Sequence, residues 1–497
     1  MAFDGARNRG RKGMSAALGL VLALCLDPVS AALAQGTERE RLERVLGDVR
    51  DPLQSGPGPN APLTESLYTD FGLSFREAYL NVDNEGDTTS RLWQTRGRVY
   101  THLSLAGAHE AYLRLNFDYR AYGEGDEFGS DDQYELDDAI FDRWWYRFDL
   151  NNHQRMLGVK PSDFNFSITA GRQQIHWGSG LALEEDLYAL LAEVTAGRAT
   201  LTLLGAYTPP ESTIDFDGSR PEYDRDTRRI FLGANLELVV SSELRPYVFY
   251  LAQIDENTED EATLNIDGVA LDMAFEYDSQ YVGGGAEGAW GENWAWSAEG
   301  IYQFGRSLSS PFDPDTGFIV PQSKDDISAW AAFGSLTYLF NDENDSNLYA
   351  WLIAASGDPD RLHSAQTFGG NEDGTQDKSF NSFGYLPTGF VLAPDPANLL
   401  TLRLGGSTRV GGSPVSNLRI GLDGYLYAKL DEDAAVSFLD TEGERFVGTA
   451  LDVFARWQIL SDVSIDLRYG LFFAGDAIPE EEKDVRQLVL VGVTYAF

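Results

Sequence analysis

The sequence predicts an all-β fold, a transmembrane antiparallel β-barrel of about 18 strands with short periplasmic turns and long acidic extracellular loops. Three observations carry this. Period-two alternation recurs in runs of roughly 9–15 residues, longer than soluble strands and suited to tilted membrane strands. Short and long connections alternate between the runs. No segment after the first few dozen residues is apolar for long enough to form a membrane helix, yet the chain is rich in Gly (50), Tyr (23), Phe (28) and Trp (10). A large soluble β-protein is the alternative, but it gives no reason for the alternating connections.

The elements follow in order. Residues 1–34 read as a signal peptide: Arg7, Arg9, Arg11 and Lys12 precede an apolar run from Met14 to Leu26, and Ala32-Leu33-Ala34 forms a small-residue cleavage site. Cys25 lies in that leader, and Leu24 before it argues against a lipoprotein signal. The remaining chain has no cysteine. Residues 35–66 read as a periplasmic N-terminal helix and linker. Thr37 and Glu40 form a capping box, Leu42, Val45, Leu46 and Val49 share one face, and "QSGPGPNAP" is flexible.

Residues 67–497 read as the barrel. Ala111, Leu113, Leu115 and Phe117 alternate with Tyr112, Arg114, Asn116 and Asp118. Ile230, Leu232 and Ala234 alternate with Arg229, Phe231 and Gly233. Short connections fall at 107–109, 196–198, 240–242, 291–293, 341–346, 411–414 and 460–462. Long ones fall at 82–90, 123–134, 176–186, 208–227, 255–278, 305–325, 357–396, 428–446 and 474–484. The 150–165 connection breaks the rule by being long where a turn is due. The final run, "VRQLVLVGVTYAF", resembles the C-terminal strand signal read by outer-membrane assembly machinery, with Gly492, Tyr495 and Phe497 in place.

The formal net charge is −40, but it is unevenly placed. Acids gather in the expected loops, as in "GEGDEFGSDDQ", "DENTEDEA" and "PEEEKD". Beyond the leader, lysine occurs only at Lys160, Lys324, Lys378, Lys429 and Lys483, so nearly all basic charge is arginine, which binds carboxylates in a planar two-pronged way. The stretch "RLWQTRGRVYTHLSL" shows where it points. Trp93, Val99 and Leu103 share one face, while Gln94, Arg96, Arg98, Tyr100 and His102 share the other. In a barrel the apolar face meets lipid and the polar face the lumen. Parity sends Arg96, Arg98, Arg114, Arg120, Arg143, Arg147, Arg229, Arg403, Arg409, Arg419, Arg456, Arg468 and Arg486 inward, with Asp118, Asp423, Asp452 and Asp466 as partners. These arginines are the candidate conduit. Arginine rings favour anions in pores, and a low-dielectric wall focuses their field. A wall merely braced by salt bridges is the competing reading.

Other chemistry finds little footing. The five histidines, His102, His109, His153, His176 and His363, lack metal-ligand spacing, and no complete calcium loop is present. "GSGLA" lacks the second glycine of a nucleophile elbow. No catalytic residue, metal site, cofactor or nucleic-acid partner is expected. Trp144, Trp145, Trp294, Trp296, Trp330 and Trp351 supply an interfacial girdle in part. Length alone suggests that loop 357–396 folds into the lumen as a constriction.

Two stretches carry a family resemblance. Gly171-Arg172-Gln173 followed by "LALEEDLYALL", and "FNSFGYLPTGF" followed by "NLLTLRLGGS", resemble the alginate export porins. The resemblance implies an eighteen-stranded outer-membrane barrel with an arginine-lined lumen that exports a polyuronate. By that implication the protein is no enzyme. It sits in the bacterial outer membrane and passively exports an acidic exopolysaccharide such as alginate. Its partners are lipopolysaccharide, outer-membrane lipid and periplasmic export or synthesis proteins. A general or small-anion porin and a structural barrel closed by internal salt bridges are the alternatives. Arg172 shares the parity of lipid-facing Ala170, so it lines the lumen only if a bulge intervenes.

Overall fold

Alternation gives each strand two faces, and the strands remove their exposed edges by closing on themselves. The computed structural model describes residues 67–497 apart from 84–88, 124–133, 211–219, 221–226, 242, 259–260, 267–268, 312–317, 362–369, 412–416, 438 and 440. The expected signal peptide, periplasmic helix and linker lie outside the described residues.

In chain order the strands begin with β1 (Tyr68–Asp83), β2 (Thr89–Leu105), β3 (His109–Tyr122), β4 (Ile140–Asp149), β5 (Phe164–Trp177) and β6 (Leu183–Ala196). Next come β7 (Ala199–Tyr207), β8 (Arg229–Leu238), β9 (Leu244–Asp255), β10 (Tyr277–Trp290), β11 (Trp294–Leu308) and β12 (Lys324–Leu339). The last six are β13 (Asn347–Ala355), β14 (Leu399–Val410), β15 (Leu418–Lys429), β16 (Phe446–Gln458), β17 (Val463–Ala474) and β18 (Arg486–Ala496). Each pairs antiparallel with the next, and β18 pairs with β1 from Ser74↔Ala496 to Asp83↔Gln487. The result is a closed antiparallel barrel. A short segment, Tyr134–Leu136, adds to β3 ahead of β4, and a hairpin of Glu261–Ile266 and Val269–Ala274 forms a separate two-stranded sheet.

The outer face is the apolar one. Phe71, Leu73, Phe75, Leu203, Leu232, Val248, Leu352, Leu404, Leu422 and Leu467 are all exposed, as lipid-facing residues must be in a chain stripped of its bilayer. Trp144, Trp294 and Trp330 stand on that face, as a girdle requires. Trp145 and Trp351 instead share the lumenal face with Tyr112 and Arg403, their cross-strand partners.

Two connections depart from their expected form. The long one after β4 holds a short helix, α1 (Leu150–Met156), whose first turn is capped by Asp149 through the Asn152 amide at 2.8 Å. Asn152 in turn donates to the Gly107 carbonyl at 2.9 Å, tying α1 to the β2–β3 turn. The connection expected over 176–186 is instead a five-residue turn, 178–182, between β5 and β6. The charged stretch Leu183–Leu187 is strand, not loop. Glu184 and Asp186 alternate there with Leu183 and Leu187, which are buried toward the lumen.

Candidate functional site: an arginine arc and an inward strap

The chain between β13 and β14 does fold into the lumen. Residues 370–398 form a strap along the inner wall, held by parallel bridges Ser309↔Asn371, Ile327↔Asp377 and Leu183↔Phe383. Its first part is fixed by Arg361, which pairs with Asp377 where both are almost fully buried. Burial holds the Asp358 carboxyl above the usual carboxylate range, an effect the hydrogen bond from the Lys378 amide only partly offsets. Tyr281 donates to the Asn381 carbonyl at 2.7 Å, and the Asn381 amide donates to Gln303 at 3.0 Å.

The strap then meets the β5–β6 turn, which also folds inward. Glu184 and Tyr385 donate backbone hydrogen bonds to the Phe383 and Gly180 carbonyls at 2.8 and 2.9 Å, and Ser382 donates to Leu181 at 2.6 Å. The backbones approach so closely that a Cβ at Gly384 would lie 2.1 Å from the Leu181 carbonyl oxygen. Further along, the Phe390 amide donates to Asp452 at 2.9 Å, and Tyr427 donates to the Thr388 carbonyl at 2.7 Å. The strap thus touches walls on both sides of the lumen. Its apolar side chains complete two clusters, Phe380 and Phe383 in one and Phe390, Val391 and Leu392 in the other.

The arginines are arranged around this strap, and almost all have a carboxylate. Arg96 reaches Asp118 at 2.7 Å, and Arg98 donates to Asn116 at 3.0 Å. Arg114 grips Asp142 with two hydrogen bonds, at 2.9 and 2.8 Å. Arg120, toward the extracellular end, is 3.4 Å from both Glu135 and Asp137. Arg147 lies 3.5 Å from Glu193 near the periplasmic end. Arg229 pairs with Asp255 at 3.2 Å beneath the strap and lies over the Phe383 ring. Arg403 grips Asp423 with two hydrogen bonds while packed among Tyr349, Trp351 and Tyr425. Arg409 reaches Asp345 at 2.6 Å, Arg419 donates to Ser407 at 2.9 Å, and Arg456 reaches Asp466 at 2.6 Å. Arg468 lies over Phe390, and Arg486 lies over Phe472 with Glu482 at 4.0 Å.

Arg143 departs from the expected inward direction. The β3–β4 register shifts between Arg114 and Asn116, and β4 stops pairing with β5 above Trp144↔Arg172. Asp142 turns to Arg114, while the Arg143 guanidinium goes to Asp186 at 2.9 Å and to Gln174. Those two alternate with buried Gln173, Ile175 and Leu187, so they belong to the outer side of the wall. Arg172 also stays on the outer parity, over the Tyr188 ring; no bulge in the β5–β6 ladder turns it inward.

Closure brings together arginines that are far apart in sequence. The inward arginines of β14 to β18 join those of β1 to β4 through the β18–β1 seam, making one continuous arc. It includes Arg76 on β1, which faces Arg96 in register and which the reading of alternation passed over. Its neighbour Glu77 masks it in sequence, yet the even positions Ser74, Arg76 and Ala78 are the buried ones. The opposite wall carries acids at inner positions, namely Glu193 on β6, Glu237 on β8, Glu287 on β10 and Glu299 on β11, with only Arg229, paired with Asp255, and Arg245, 3.5 Å from Glu287, as inward arginines among the described residues there. The lumen is therefore polarised across its width.

Part of the arc opens into a recess beside the strap, lined by Arg403, Arg419, Arg456 and Arg468 with Asp423, Asp452 and Asp466 between them. Aromatic rings line it as well, from Tyr349, Trp351, Tyr425 and Phe454 on the wall and Phe390 on the strap. Among the described residues no cluster of three or more His, Cys, Asp or Glu side chains could hold a metal ion.

A family model described as alginate export matches residues 213–491. No curated protein matches the sequence. Among solved structures, OccK11 (OpdR) of Pseudomonas aeruginosa is similar at 11% identity and a TM-score of 0.48, covering 86% of this chain and 96% of that one. The outer membrane protein opdK of Pseudomonas aeruginosa gives 9% and 0.49, covering 86% and 98%. OccAB1 of Acinetobacter baumannii gives 11% and 0.49, covering 86% and 96%.

Proposed function

The chain belongs to the alginate export family, and on that premise we propose that this outer-membrane barrel passively exports an anionic polysaccharide such as alginate along its arginine arc. Family and porin-like barrel together fit a channel rather than an enzyme. The observation that supports the polymer reading is the uneven wall: most of the inward arginines stand on one side of the lumen, while Glu193, Glu237, Glu287 and Glu299 stand on the other. A polyanion in such a lumen is drawn to one wall and repelled from the other, which keeps an extended chain against the arginines.

The pairing of those arginines suits transport better than tight binding. Each carboxylate of a passing chain would exchange with an aspartate already in place, as at Arg96–Asp118 or Arg456–Asp466. The gain per contact is then small, and a conducted solute must leave as readily as it enters. The same pairs also favour a second reading, a barrel braced by its salt bridges, because a fully satisfied network is rigid.

Ion selectivity in a planar bilayer separates the two. The export reading expects anion selectivity and block by added polyuronate, both weakened in Arg96→Gln, Arg98→Gln and Arg114→Gln. A channel that selects cations and ignores the polymer would leave only the braced barrel standing.

A further inference from the structure

Above the Glu110↔Arg147 pair that follows the β2–β3 turn, the inner wall of β2–β4 carries a tier of rings, with the Tyr100 hydroxyl donating to Asp70 on β1 at 3.1 Å. Tyr112 and Trp145 are cross-strand partners, with centroids 5.7 Å apart and planes within 14° of parallel. Tyr100 continues the stack on Tyr112 at 5.9 Å and 24°. His102 flanks both, 6.4 Å from Tyr112 and 6.0 Å from Trp145. The tier begins only three register steps above the turn, counting from Leu105↔His109 to His102↔Tyr112. Short turns mark the periplasmic end, so these rings stand at the periplasmic mouth.

Their surroundings point to an occupant. Tyr100, Tyr112 and Trp145 are only half-buried, so ring surface remains open to the lumen. Apolar ring surface in a watery lumen is unfavourable unless something covers it. Directly above, in register, stand Arg114 opposite Tyr100 and Arg98 opposite Asn116; below stands Arg147 opposite Glu110. A pyranose ring presents an apolar C–H face, whose outward hydrogens suit the negative face of an aromatic ring. A carboxylate at the edge of that pyranose projects sideways, where a guanidinium fork can take it. Rings in one tier with arginines on both sides match a polymer of acidic pyranoses and fit neither a small inorganic anion nor a lipid tail.

We propose that Tyr100, Tyr112 and Trp145 form a saccharide-stacking platform at the periplasmic mouth, which holds successive pyranose rings of the polymer while their carboxylates pass to Arg98. This rests on the export reading and adds the sugar ring itself as a recognised feature. Stacking is insensitive to salt, whereas arginine contacts between exposed charges are screened.

The test is single-channel block of the full barrel by two probes, a hexagalacturonate and the neutral hexasaccharide maltohexaose, at low and high salt. Trp145→Ala and Tyr112→Ala should shorten the dwell of both probes, on the order of tenfold for one lost stacking contact, equally at either salt. Trp145→Phe should restore most of the dwell, and open-channel conductance confirms that each variant has folded. Arg98→Gln should shorten only the acidic probe's dwell, and less at high salt. Acidic block that weakens in Arg98→Gln but is unchanged in the ring variants overturns the platform and leaves the export reading intact. Neutral block lost in Trp145→Ala without acidic block keeps the platform and removes the anionic reading. Absence of block by either probe in the unmodified barrel overturns both.

Discussion

Glu299 on β11 accepts both the amide and the hydroxyl of Ser179, at 2.8 and 2.5 Å, and so fastens the β5–β6 turn to the far wall. Tyr247 donates to the same carboxylate at 2.6 Å. Three donors on one buried carboxylate, inside a lumen that should conduct, make this contact a fastening of the inward segments. In Glu299→Gln the side chain offers a single acceptor oxygen, and its NH2 meets a donor. The expected loss is about 2 kcal/mol, the scale of hydrogen bonds to a charged group. Single-channel recordings should show noisier, larger openings; a trace identical to the parent barrel would mean the turn is held by packing alone.

The strap is the larger obstacle. Replacing residues 371–396 by a short Gly-Ser connection should raise conductance several-fold while the barrel still migrates as a heat-modifiable band on a gel. An unchanged conductance would show that ions already pass beside the strap.

Gly384 is where strap and turn touch most closely. Gly384→Ala places a carbon 2.1 Å from the Leu181 carbonyl oxygen, a backbone atom that cannot swing aside. The strap must lift there, breaking the Phe383 and Tyr385 hydrogen bonds. Faster protease cleavage within 380–386, with an intact barrel, is the expected readout. Parent-like resistance would count against the close approach.

Arg403 joins a two-pronged ion pair to three aromatic neighbours. In Arg403→Gln, Asp423 keeps its hydrogen bond from Tyr349 at 2.6 Å but loses its counter-charge. The cost should be about 3 kcal/mol, as for breaking a buried pair. Arg403→Lys should recover only part, because an ammonium neither forks nor stacks. Thermal unfolding in detergent measures both; equal stability of all three proteins would discard the argument.

The strap's seating should depend on pH through Asp358. Burial raises its carboxyl's proton affinity in the seated state. The seated strap therefore binds the proton more tightly than a released one, and its stability is greatest below the ordinary carboxylate range. It weakens as pH rises through the raised value. Protease accessibility of the strap should increase as pH rises above the ordinary carboxylate range, and Asp358→Asn should flatten that profile. A slope that persists in the variant would assign the dependence to another group.

How much of this could be read from the chain follows from what alternation encodes. A strand with a buried face and a lipid face writes both into its sequence, so Ile230 through Leu238 and Val463 through Phe473 were readable in both direction and parity. The last run's place in the barrel wall was legible in its alternation, while its pairing with β1 was not. Arg143 was not, because a register shift in the neighbouring ladder redirects one side chain without changing its own alternation. Glu184 and Asp186 looked like loop because charged outer residues near a rim imitate a connection. The strap's length was visible, but its landing points were not: Ser382 on Leu181 and Phe390 on Asp452 join segments that no local pattern relates. The polarised lumen was hidden for the same reason, since it exists only once β18 meets β1.

That seam also sets an order of events in the cell. Leu73 and Phe497 exchange backbone hydrogen bonds at 2.8 and 2.7 Å, joining the first strand to the end of the last. Neither edge can be satisfied until nearly the whole chain between them is in place, and in a membrane an open edge has no water to turn to. A nascent barrel of this kind cannot insert strand by strand and wait. Until then its unpaired strands must be shielded by something else, and the last seam to form joins the two ends of the chain's barrel.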